Sequence, residues 1–327
     1  MSVLLEIKNL KKHFPIHGGL FNRVVSELKA VDDVSFVLEK GKTMGLVGES
    51  GCGKSTLGRA VLRLHEPTDG TVILDGIDIT KLESKALVDA RRDMQIIFQD
   101  PYASLSPRRT IQQTLLEPLE THHIGTPESR QQKIEELLEI VGLRKHVLHR
   151  YPHEFSGGQR QRIGIARALT LEPKFIVADE AVSALDVSVQ SQVLNLISNL
   201  QKTLGISFLF ISHDLAVVQH ISDDVGVMYL GRLVEKATAT SLYKEPRHPY
   251  TKALLSAIPT PDPTIKNQRQ ILKGDVPSPL NPPSGCTFRT RCPEAMDICA
   301  LKAPLQTEVG SKYEPHWVAC HLFELPK

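Results

Sequence analysis

The sequence predicts an α/β fold in which buried parallel strands alternate with helices. Residues 175–178 and 206–211 are short, continuous apolar runs, a pattern typical of strands buried on both faces of a parallel sheet. Apolar residues recur at helical spacing between them, which predicts a β-α-β unit. A third strand, over residues 43–47, runs into a glycine-rich loop and then a helix over residues 56–64.

Further elements are predicted on both sides of this core. Alternation of apolar and polar residues around Leu5 and Ile7, and again over residues 34–38, predicts half-buried strands. Residues 99–150 combine several prolines with one amphipathic helix, which favours a helical subdomain. The last 82 residues hold 13 of the 21 prolines. They are therefore predicted to form a separate, loop-rich C-terminal extension that is neither mainly helix nor central strand.

The composition argues against several classes of protein. The 39 Lys and Arg residues against 37 Asp and Glu residues give a formal net charge of +2, which supplies no broad field for condensing nucleic acid or anionic lipid. The first ten residues lack the pattern of a secretory signal, and no run of 18 apolar residues occurs. We therefore expect a cytosolic protein that reaches a membrane only through partners.

Residues 48–55, GESGCGKS, carry a phosphate-binding pattern. They fit G-x-x-x-x-G-K-[ST] and lie between a predicted strand and a predicted helix, as the mechanism requires. The glycines let backbone N–H groups turn toward one point, and the helix start adds its positive dipole end. Lys54 would contact the β and γ phosphates, and Ser55 would offer its hydroxyl to Mg²⁺. The alternative, a flexible glycine turn without a ligand, leaves the Lys-Ser pair unexplained.

Two carboxylates, Asp179 and Glu180, close the buried strand at residues 175–178. Ligands of open α/β folds bind at this carboxyl edge of the sheet. Asp179 would hold Mg²⁺ through its water shell, and Glu180 would orient a water for in-line attack on the γ phosphate. The alternative is a pair of solvated acids after a strand. With the phosphate loop upstream, the pair predicts hydrolysis in addition to binding.

The segment FSGGQRQR at residues 155–162 opens another predicted helix and resembles the signature motif of ATP-binding cassette (ABC) ATPases. Ser156 can cap that helix while Gly157 and Gly158 expose terminal N–H groups, which makes a second anion-binding surface. The alternative is an ordinary capped helix. The resemblance implies a P-loop ATPase with an antiparallel β-subdomain and a helical subdomain, which works as a dimer. In that dimer, the signature of one subunit closes over the nucleotide held by the other.

Other positions take their roles from the same resemblance. Gln99 would sense the metal and the attacking water, Asp186 would contact the opposing subunit, and His213 would reach the γ phosphate. Phe14 resembles the aromatic that stacks on adenine, with core packing as its alternative. Ala181 departs from the family, which usually has proline there, and implies slower hydrolysis at most. The predicted catalytic residues are Glu180, His213 and Gln99; the predicted Mg²⁺ ligands are Ser55, Gln99 and Asp179; and the predicted nucleotide contacts are Phe14, Gly48, Ser50, Gly51, Gly53, Lys54, Ser55, Thr56, Ser156, Gly157, Gly158, Gln159 and Asp186.

The C-terminal part narrows the branch of the family. Residues 247–251 (RHPYT) and 276–286 (VPSPLNPPSGC) resemble the extension of ATP-binding subunits of oligopeptide/dipeptide importers. The resemblance divides the chain into an ATPase domain over 1–245, with its helical subdomain at about 99–160, and an extension over 246–327.

That branch implies partners, a location and a cargo. It implies a second, different ATPase subunit, two membrane-spanning permease subunits and, indirectly, an extracytoplasmic substrate-binding protein. The chain is expected to be peripheral on the cytoplasmic face of the bacterial inner membrane. Peptide is the expected cargo, and nickel and glutathione are alternatives within the branch. A nucleic-acid-associated ABC ATPase is the rival from another class. The single cassette, short helical insert and absence of a basic stripe disfavour it, so no nucleic-acid partner is expected.

Four cysteines cluster near the C-terminal end: Cys286, Cys292, Cys299 and Cys320. Their spacing lacks the C-x-x-C pairs of structural zinc ribbons. Four thiolates could hold a [4Fe-4S] cluster, as in some members of the family, and would staple a segment with little hydrophobic core. Zinc and unligated thiols are the alternatives.

Overall fold

The computed structural model describes residues 2–18, 22–258, 270–311 and 314–324. The strands are β1 (Val3–Gly18), β2 (Arg23–Glu39), β3 (Thr43–Val47), β4 (Asp69–Leu74), β5 (Ile77–Asp78), β6 (Met94–Ile97), β7 (Phe175–Asp179), β8 (Ser207–Ile211), β9 (Asp224–Tyr229), β10 (Arg232–Thr238), β11 (Gln306–Glu308) and β12 (His316–Ala319). The α-helices are α1 (Lys54–Val61), α2 (Ser84–Ala90), α3 (Ile111–Thr121), α4 (Pro127–Ile140), α5 (Gly157–Leu169), α6 (Val187–Leu204), α7 (Leu215–Ile221), α8 (Ala239–Lys244), α9 (Pro249–Ser256) and α10 (Ile298–Leu301). Short 3₁₀ helices cover Ile79–Lys81, Lys145–His149, Pro152–Glu154 and His321–Phe323.

The chain forms two compact units. The first consists mainly of Glu39–Thr43 and Lys81–Ile211, and the second of Val3–Leu38, Met44–Thr80 and the described residues from Ser212 onward.

The first unit contains the predicted β-α-β arrangement. Strand β7 pairs in parallel with both β6 and β8. Every residue of β7 and β8 is buried, which explains their continuous apolar sequence. Helix α6 connects these two strands along the chain and ends at Gly205 in the left-handed conformation. The predicted parallel core is therefore confirmed.

Three helices of the first unit lie within or beside the predicted helical subdomain. Helices α3, α4 and α5 each begin with a capping box, in which the N-cap hydroxyl and the N3 side chain satisfy each other's backbone N–H groups. Helix α4 also starts with Pro127, whose ring suits the first helical position. Local sequence therefore specifies where each of these helices begins.

The second unit holds an antiparallel sheet from the N-terminal part of the chain. Its strand order is β2-β1-β4-β5, with β1 to β4 and β4 to β5 antiparallel. Leu5 and Ile7 are buried, whereas Lys8 is exposed, so the half-buried strand predicted here is confirmed.

The second unit also carries strands in the order β11-β12-β10-β9-β3. Strand β3 is parallel to β9, and the other pairs are antiparallel. The described part of the extension is mostly loop, as expected, yet it contributes β11 and β12. Strand β12 lies between two other strands, a position that excludes proline because proline cannot donate a backbone hydrogen bond. The nearest proline, Pro315, stands just before the strand begins.

Helix α1 differs slightly from its prediction. It covers Lys54–Val61, two residues earlier at its start than the predicted 56–64 and three earlier at its end. Gly53 precedes it in the left-handed conformation and Arg63 has a φ of 49°, so backbone turns at both ends set its length. Within the described residues, none of the helices combines the length and apolar character needed to cross a bilayer.

Candidate functional site

The glycines of the phosphate loop are required by its backbone. Gly48, Gly51 and Gly53 have φ angles of 154°, 78° and 102°, in the region that favours glycine. A Cβ atom at Gly53 would lie 1.9 Å from the carbonyl oxygen of Ala30, and one at Gly48 would lie 2.2 Å from that of Met228. Conformation and close packing therefore exclude larger residues at both ends of the loop.

Lys54 lies inside this loop. It begins α1 immediately after Gly53 and is only 4% exposed. Its Nζ donates hydrogen bonds to the carbonyl oxygens of Gly48 at 2.8 Å and Glu49 at 3.0 Å. A buried cation held by neutral carbonyls is well placed to take a charged phosphate oxygen as a stronger acceptor. Cys52 is buried beside it, and burial raises the pKa of its thiol, so this thiol is neutral at pH 7.

Phe14 lies on β1 in the same unit as the phosphate loop. It is half-buried and is not part of the fully buried core. The edge of the His65 ring meets it with 5.6 Å between centroids, and Lys12 Nζ stands 4.8 Å from the ring centroid. These neighbours fix the ring on a partly open surface, where a base could stack on it.

Three predicted catalytic and metal residues lie together in the first unit. Asp179 is the last residue of β7 and is 2% exposed. Glu180 follows with a φ of 47°, and its N–H donates to the carbonyl oxygen of Ile211 at 3.0 Å. Gln99 Nε2 donates to Glu180 Oε2 at 2.7 Å. A glutamate in the left-handed region costs about 1 kcal/mol, and strain of this kind concentrates at functional sites.

The signature segment forms the capped start of α5. Ser156 Oγ accepts from the Gln159 N–H at 3.4 Å, and Gln159 Oε1 accepts from the Ser156 N–H at 3.1 Å, so the predicted cap is confirmed. Ser156, Gly157 and Gln159 are exposed, whereas Gly158 is buried. A Cβ at Gly158 would lie 2.3 Å from Val189 Cγ1. This glycine is therefore also required for packing against α6.

Asp186 and His213 occupy turns before helices. Asp186 Oδ1 accepts from the Val189 N–H at 3.0 Å and from Ser188 Oγ at 2.9 Å, which caps α6 and lowers the pKa of the carboxyl. His213 is exposed directly before Asp214, the N-cap of α7.

The predicted site residues are divided between the two units. Phe14, residues 48–56 and His213 lie in the second unit, and Gln99, the signature segment, Asp179, Glu180 and Asp186 lie in the first.

Comparison with known proteins identifies the family. A family profile described as ABC transporter matches residues 31–183, and one described as the C-terminal region of oligopeptide/dipeptide transporters matches residues 234–299. The oligopeptide transport ATP-binding protein AppF of Bacillus subtilis is 54% identical over 325 residues, covering 98% of each chain. The chain belongs to the ATP-binding proteins of oligopeptide/dipeptide ABC transporters.

Other members of this family and solved structures agree. A putative peptide import ATP-binding protein of Brucella ovis is 56% identical over 317 residues, which covers 97% of each chain. The dimeric structure of the cassette MJ0796 bound to ADP and Pi is similar with a TM-score of 0.64 and 27% identity, covering 72% of this chain and 99% of that one. The cbiO1 protein of Clostridium perfringens, part of a cbiONQ transporter complex, also gives a TM-score of 0.64 at 25% identity, covering 75% and 92%. The ABC ATPase fold predicted from the motifs is therefore confirmed.

The residues that surround Glu49 were not predicted to belong to the site. Tyr250 Oη accepts from the Glu49 N–H at 2.9 Å, and the Arg291 guanidinium pairs with the Glu49 carboxylate at 2.7 and 3.0 Å. Tyr250 belongs to the RHPYT motif at residues 247–251, which marked the family branch. The motif drew attention to this part of the sequence, but nothing in the sequence indicated that Tyr250 folds against the phosphate loop.

The four C-terminal cysteines are gathered in space without a disulfide. Cys299 and Cys320 are buried, and the Cys286 N–H donates to the Cys299 carbonyl oxygen at 2.8 Å. Burial and, secondarily, the nearby thiols raise the pKa of Cys320 to about 12; burial also raises the pKa of Cys286 and Cys292. Among the described residues, no group of three or more His, Cys, Asp or Glu side chains is arranged around one metal-ion position.

Proposed function

We propose that this chain binds MgATP through residues 48–56 and hydrolyses it to power the import of peptides. The observation that carries the proposal is the phosphate loop, with glycines in the left-handed region and the buried Lys54 bound to loop carbonyls. Lys54 would take the β and γ phosphates, the N–H groups at the start of α1 would face the same anion, and Ser55 would bind Mg²⁺. Phe14 would stack on adenine.

Hydrolysis is assigned to the group around Glu180. The Gln99–Glu180 hydrogen bond supports a shared role, because an amide and a carboxylate in contact can both orient one water. Glu180 would polarise the water, Asp179 would hold Mg²⁺ through its water shell, and His213 would reach the γ phosphate.

The active form is proposed to be a pair of cassettes. In each chain, Ser156, Gly157 and Gln159 are exposed at the start of α5, which suits a surface that closes on another subunit's nucleotide. Asp186 would contact the opposing subunit. The dimeric, ADP-bound MJ0796 structure supports this arrangement. A different ATPase subunit is the proposed partner, and an identical copy is the alternative.

Peptide is the proposed cargo. The family match at residues 234–299 and the similarity to AppF support it over nickel or glutathione. Two permease subunits would hold the chain on the cytoplasmic face of the inner membrane and receive peptide from a binding protein outside. Closing of the cassettes would shift the permease between two states, since ATP stabilises only the closed pair.

The cysteine cluster is proposed to hold a [4Fe-4S] cluster. An all-sulfur donor set suits iron–sulfur chemistry, and the spacing of the cysteines lacks the C-x-x-C pairs of structural zinc ribbons, which makes zinc the weaker alternative. Such a cluster would cross-link Cys286, Cys292, Cys299 and Cys320. Because burial raises the pKa of Cys286, Cys292 and Cys320, loading would release protons and would be favoured at higher pH. Measurement of iron and acid-labile sulfide after anaerobic purification tests this. Their absence together with stoichiometric zinc would favour the alternative.

The hydrolysis proposal is tested with Glu180→Gln in the complex with the permease. We expect ATP turnover to fall by about a hundredfold or more, because the water loses its base. ATP should also tighten the pairing of the cassettes, measured by crosslinking across the dimer. Glu172→Gln is the matched control, since Glu172 is exposed, also has a positive φ and pairs with Lys133 away from Glu180. Unchanged turnover or no ATP-dependent pairing would contradict the proposal.

Cargo is tested by uptake of labelled dipeptide, tripeptide, nickel and glutathione into cells that express the whole transporter. Peptide uptake that depends on Lys54 supports the assignment. Uptake of nickel alone would move the chain to another member of the branch, and turnover stimulated by DNA without co-purifying permease subunits would favour the nucleic-acid rival.

A further inference from the structure

Glu49 connects the phosphate loop to the C-terminal extension through its N–H and its carboxylate. Its carbonyl oxygen accepts from Lys54 Nζ, its N–H donates to Tyr250 Oη, and its carboxylate receives both terminal nitrogens of Arg291. Two of these three partners lie more than 200 positions away in the sequence. The lysine that contacts phosphate is thus two hydrogen bonds from the extension.

Arg291 is largely buried at its end of this connection. Its side chain is 8% exposed, against 27% for Glu49. The backbone N–H of Arg291 donates to the Phe288 carbonyl oxygen at 3.0 Å. The Phe288 ring packs edge-on to Tyr229 with ring centroids 5.2 Å apart. Two N–H···O bonds from this largely buried guanidinium define both the position and the orientation of the carboxylate.

Tyr250 is fixed by a second set of contacts. It lies in the first turn of α9, whose N-cap is His248, with His248 Nδ1 accepting from the Tyr250 N–H at 3.0 Å. The buried Glu235 accepts from the backbone N–H of His248 at 2.9 Å and from His316 Nε2 at 2.6 Å. The Tyr250 ring itself is fully buried against Tyr229. The hydroxyl that receives the Glu49 N–H therefore has little freedom to move.

Charge gives these contacts a consequence for nucleotide binding. A carboxylate within a loop that receives a polyanionic phosphate chain repels it, and this repulsion is strong where water is partly excluded. Arg291 offsets the charge of Glu49 and turns the carboxylate toward itself. The loop also carries three glycines with positive φ, so restraint from outside reduces the ordering cost of binding.

We propose that Arg291 and Tyr250 are positioning residues of the ATP site, which hold Glu49 so that the phosphate loop is neutralised and preset for nucleotide. This inference deepens the proposed function and rests on it. It assigns to the extension a direct role in ATP affinity that does not depend on what the cysteines bind.

The test compares MgATP affinity, measured by calorimetry on the full chain, and the KM and kcat of the complex with its permease. Arg291→Gln should weaken MgATP binding about three- to tenfold, as expected for loss of a charge-assisted pair. It should raise KM more than it lowers kcat. Glu49→Gln combined with Arg291→Gln should return affinity to within about twofold of the wild type, since the repelling charge is then gone. Tyr250→Phe should weaken binding about two- to threefold.

Arg289→Gln is the matched control. Arg289 lies two residues from Arg291 in the same loop, and its guanidinium bonds to the carbonyl oxygen and Oγ of Ser284 instead. The Arg289→Gln chain should bind MgATP with the same affinity as the wild type. If Arg291→Gln is too unstable to purify, Arg291→Met replaces it, alone and combined with Glu49→Gln, with the same expected order of affinities.

Each alternative outcome has a separate meaning. A wild-type chain that does not bind MgATP would overturn the proposed function. If the wild type binds and Arg291→Gln, or Arg291→Met in its place, binds equally well, the inference fails while the function stands. Equal losses in the Arg289 and Arg291 variants, or no rescue by Glu49→Gln, would mean that the extension acts through general stability, and would also overturn the inference.

Discussion

Two glycine-rich segments, each at the start of a helix, differ sharply in their surroundings. In the phosphate loop, Lys54 is buried and glycine is enforced by backbone contacts at Gly48 and Gly53. In the signature segment, Ser156 and Gly157 are exposed, and the cap hydroxyl bonds within its own turn. The first is thus built into the interior of its unit, whereas the second presents Ser156, Gly157 and Gln159 on the surface.

The difference supports the proposal that each chain carries its own phosphate cradle and a separate surface that closes on the nucleotide of another subunit. A phosphate cradle must hold several N–H groups toward one anion, which requires a rigid setting, as in the phosphate loop. A surface that must close on another subunit and release it has to remain exposed until then. We therefore expect phosphate-loop variants to affect binding by the single chain, and signature variants to affect only the paired state.

Lys54→Ala should have the largest effect. It removes the buried ammonium from the phosphate loop, so we expect ATP turnover in the complete transporter to fall by about a hundredfold or more. MgATP affinity of the isolated chain should fall as well, measured by calorimetry. Lys174→Ala is the control, because Lys174 forms an exposed pair with Asp93. Wild-type affinity in Lys54→Ala would show that the loop is not the complete cradle.

Ser156→Ala should have a smaller effect that appears only in the pair. It removes one hydroxyl at the signature, so turnover of the transporter should fall about tenfold while MgATP affinity of the isolated chain stays unchanged. The helix cap is lost at about 1 kcal/mol of stability. Thr126→Ala removes the equivalent cap of α4 and should cost similar stability without affecting turnover. An affinity change in Ser156→Ala alone would contradict the half-site interpretation.

The stability of the fold around the phosphate loop should depend on pH through His248, which caps the helix that carries Tyr250. Burial lowers the pKa of His248 from its ordinary value of 6.5 to about 4. The unfolded chain therefore binds more protons between these values, so stability should fall as pH drops from about 6.5 toward 4. His248→Asn retains a capping side chain. It should reduce the loss in free energy of unfolding between pH 7 and pH 5 by about 2 kcal/mol.

Urea unfolding at the two pH values measures this effect on the full chain. His149→Asn is the control, since His149 is exposed in a 3₁₀ helix of the other unit. If His248→Asn loses as much stability between pH 7 and pH 5 as the wild type does, groups other than His248 cause the loss.

Ala181→Pro should have the smallest effect. Ala181 is buried directly after Glu180, and proline would restrict the turn that carries this residue. We expect turnover to rise by no more than about two- to threefold, measured in the complete transporter. Reduced turnover would show that the turn after Glu180 needs the freedom that alanine allows.

Local patterns were sufficient for much of the fold. The strand Thr43–Val47, the buried strand before Glu180 and the capped helix at Ser156 follow from short-range apolar runs and cap chemistry, so they were predicted almost residue by residue. The end of α1 and the two strands of the extension were not. Helix ends depend on single backbone turns, and strands of three or four residues carry too little pattern to identify.

The sequence by itself determined the type of chemistry, because the residues of the phosphate loop and the signature segment are contiguous and their spacing is fixed by covalent geometry. Only the tertiary structure decided that Gln99 contacts Glu180 and that Tyr250 and Arg291 hold Glu49. These contacts join positions 81 to 242 residues apart. Which distant side chains meet depends on how strands and loops pack together, and no local periodicity encodes that information.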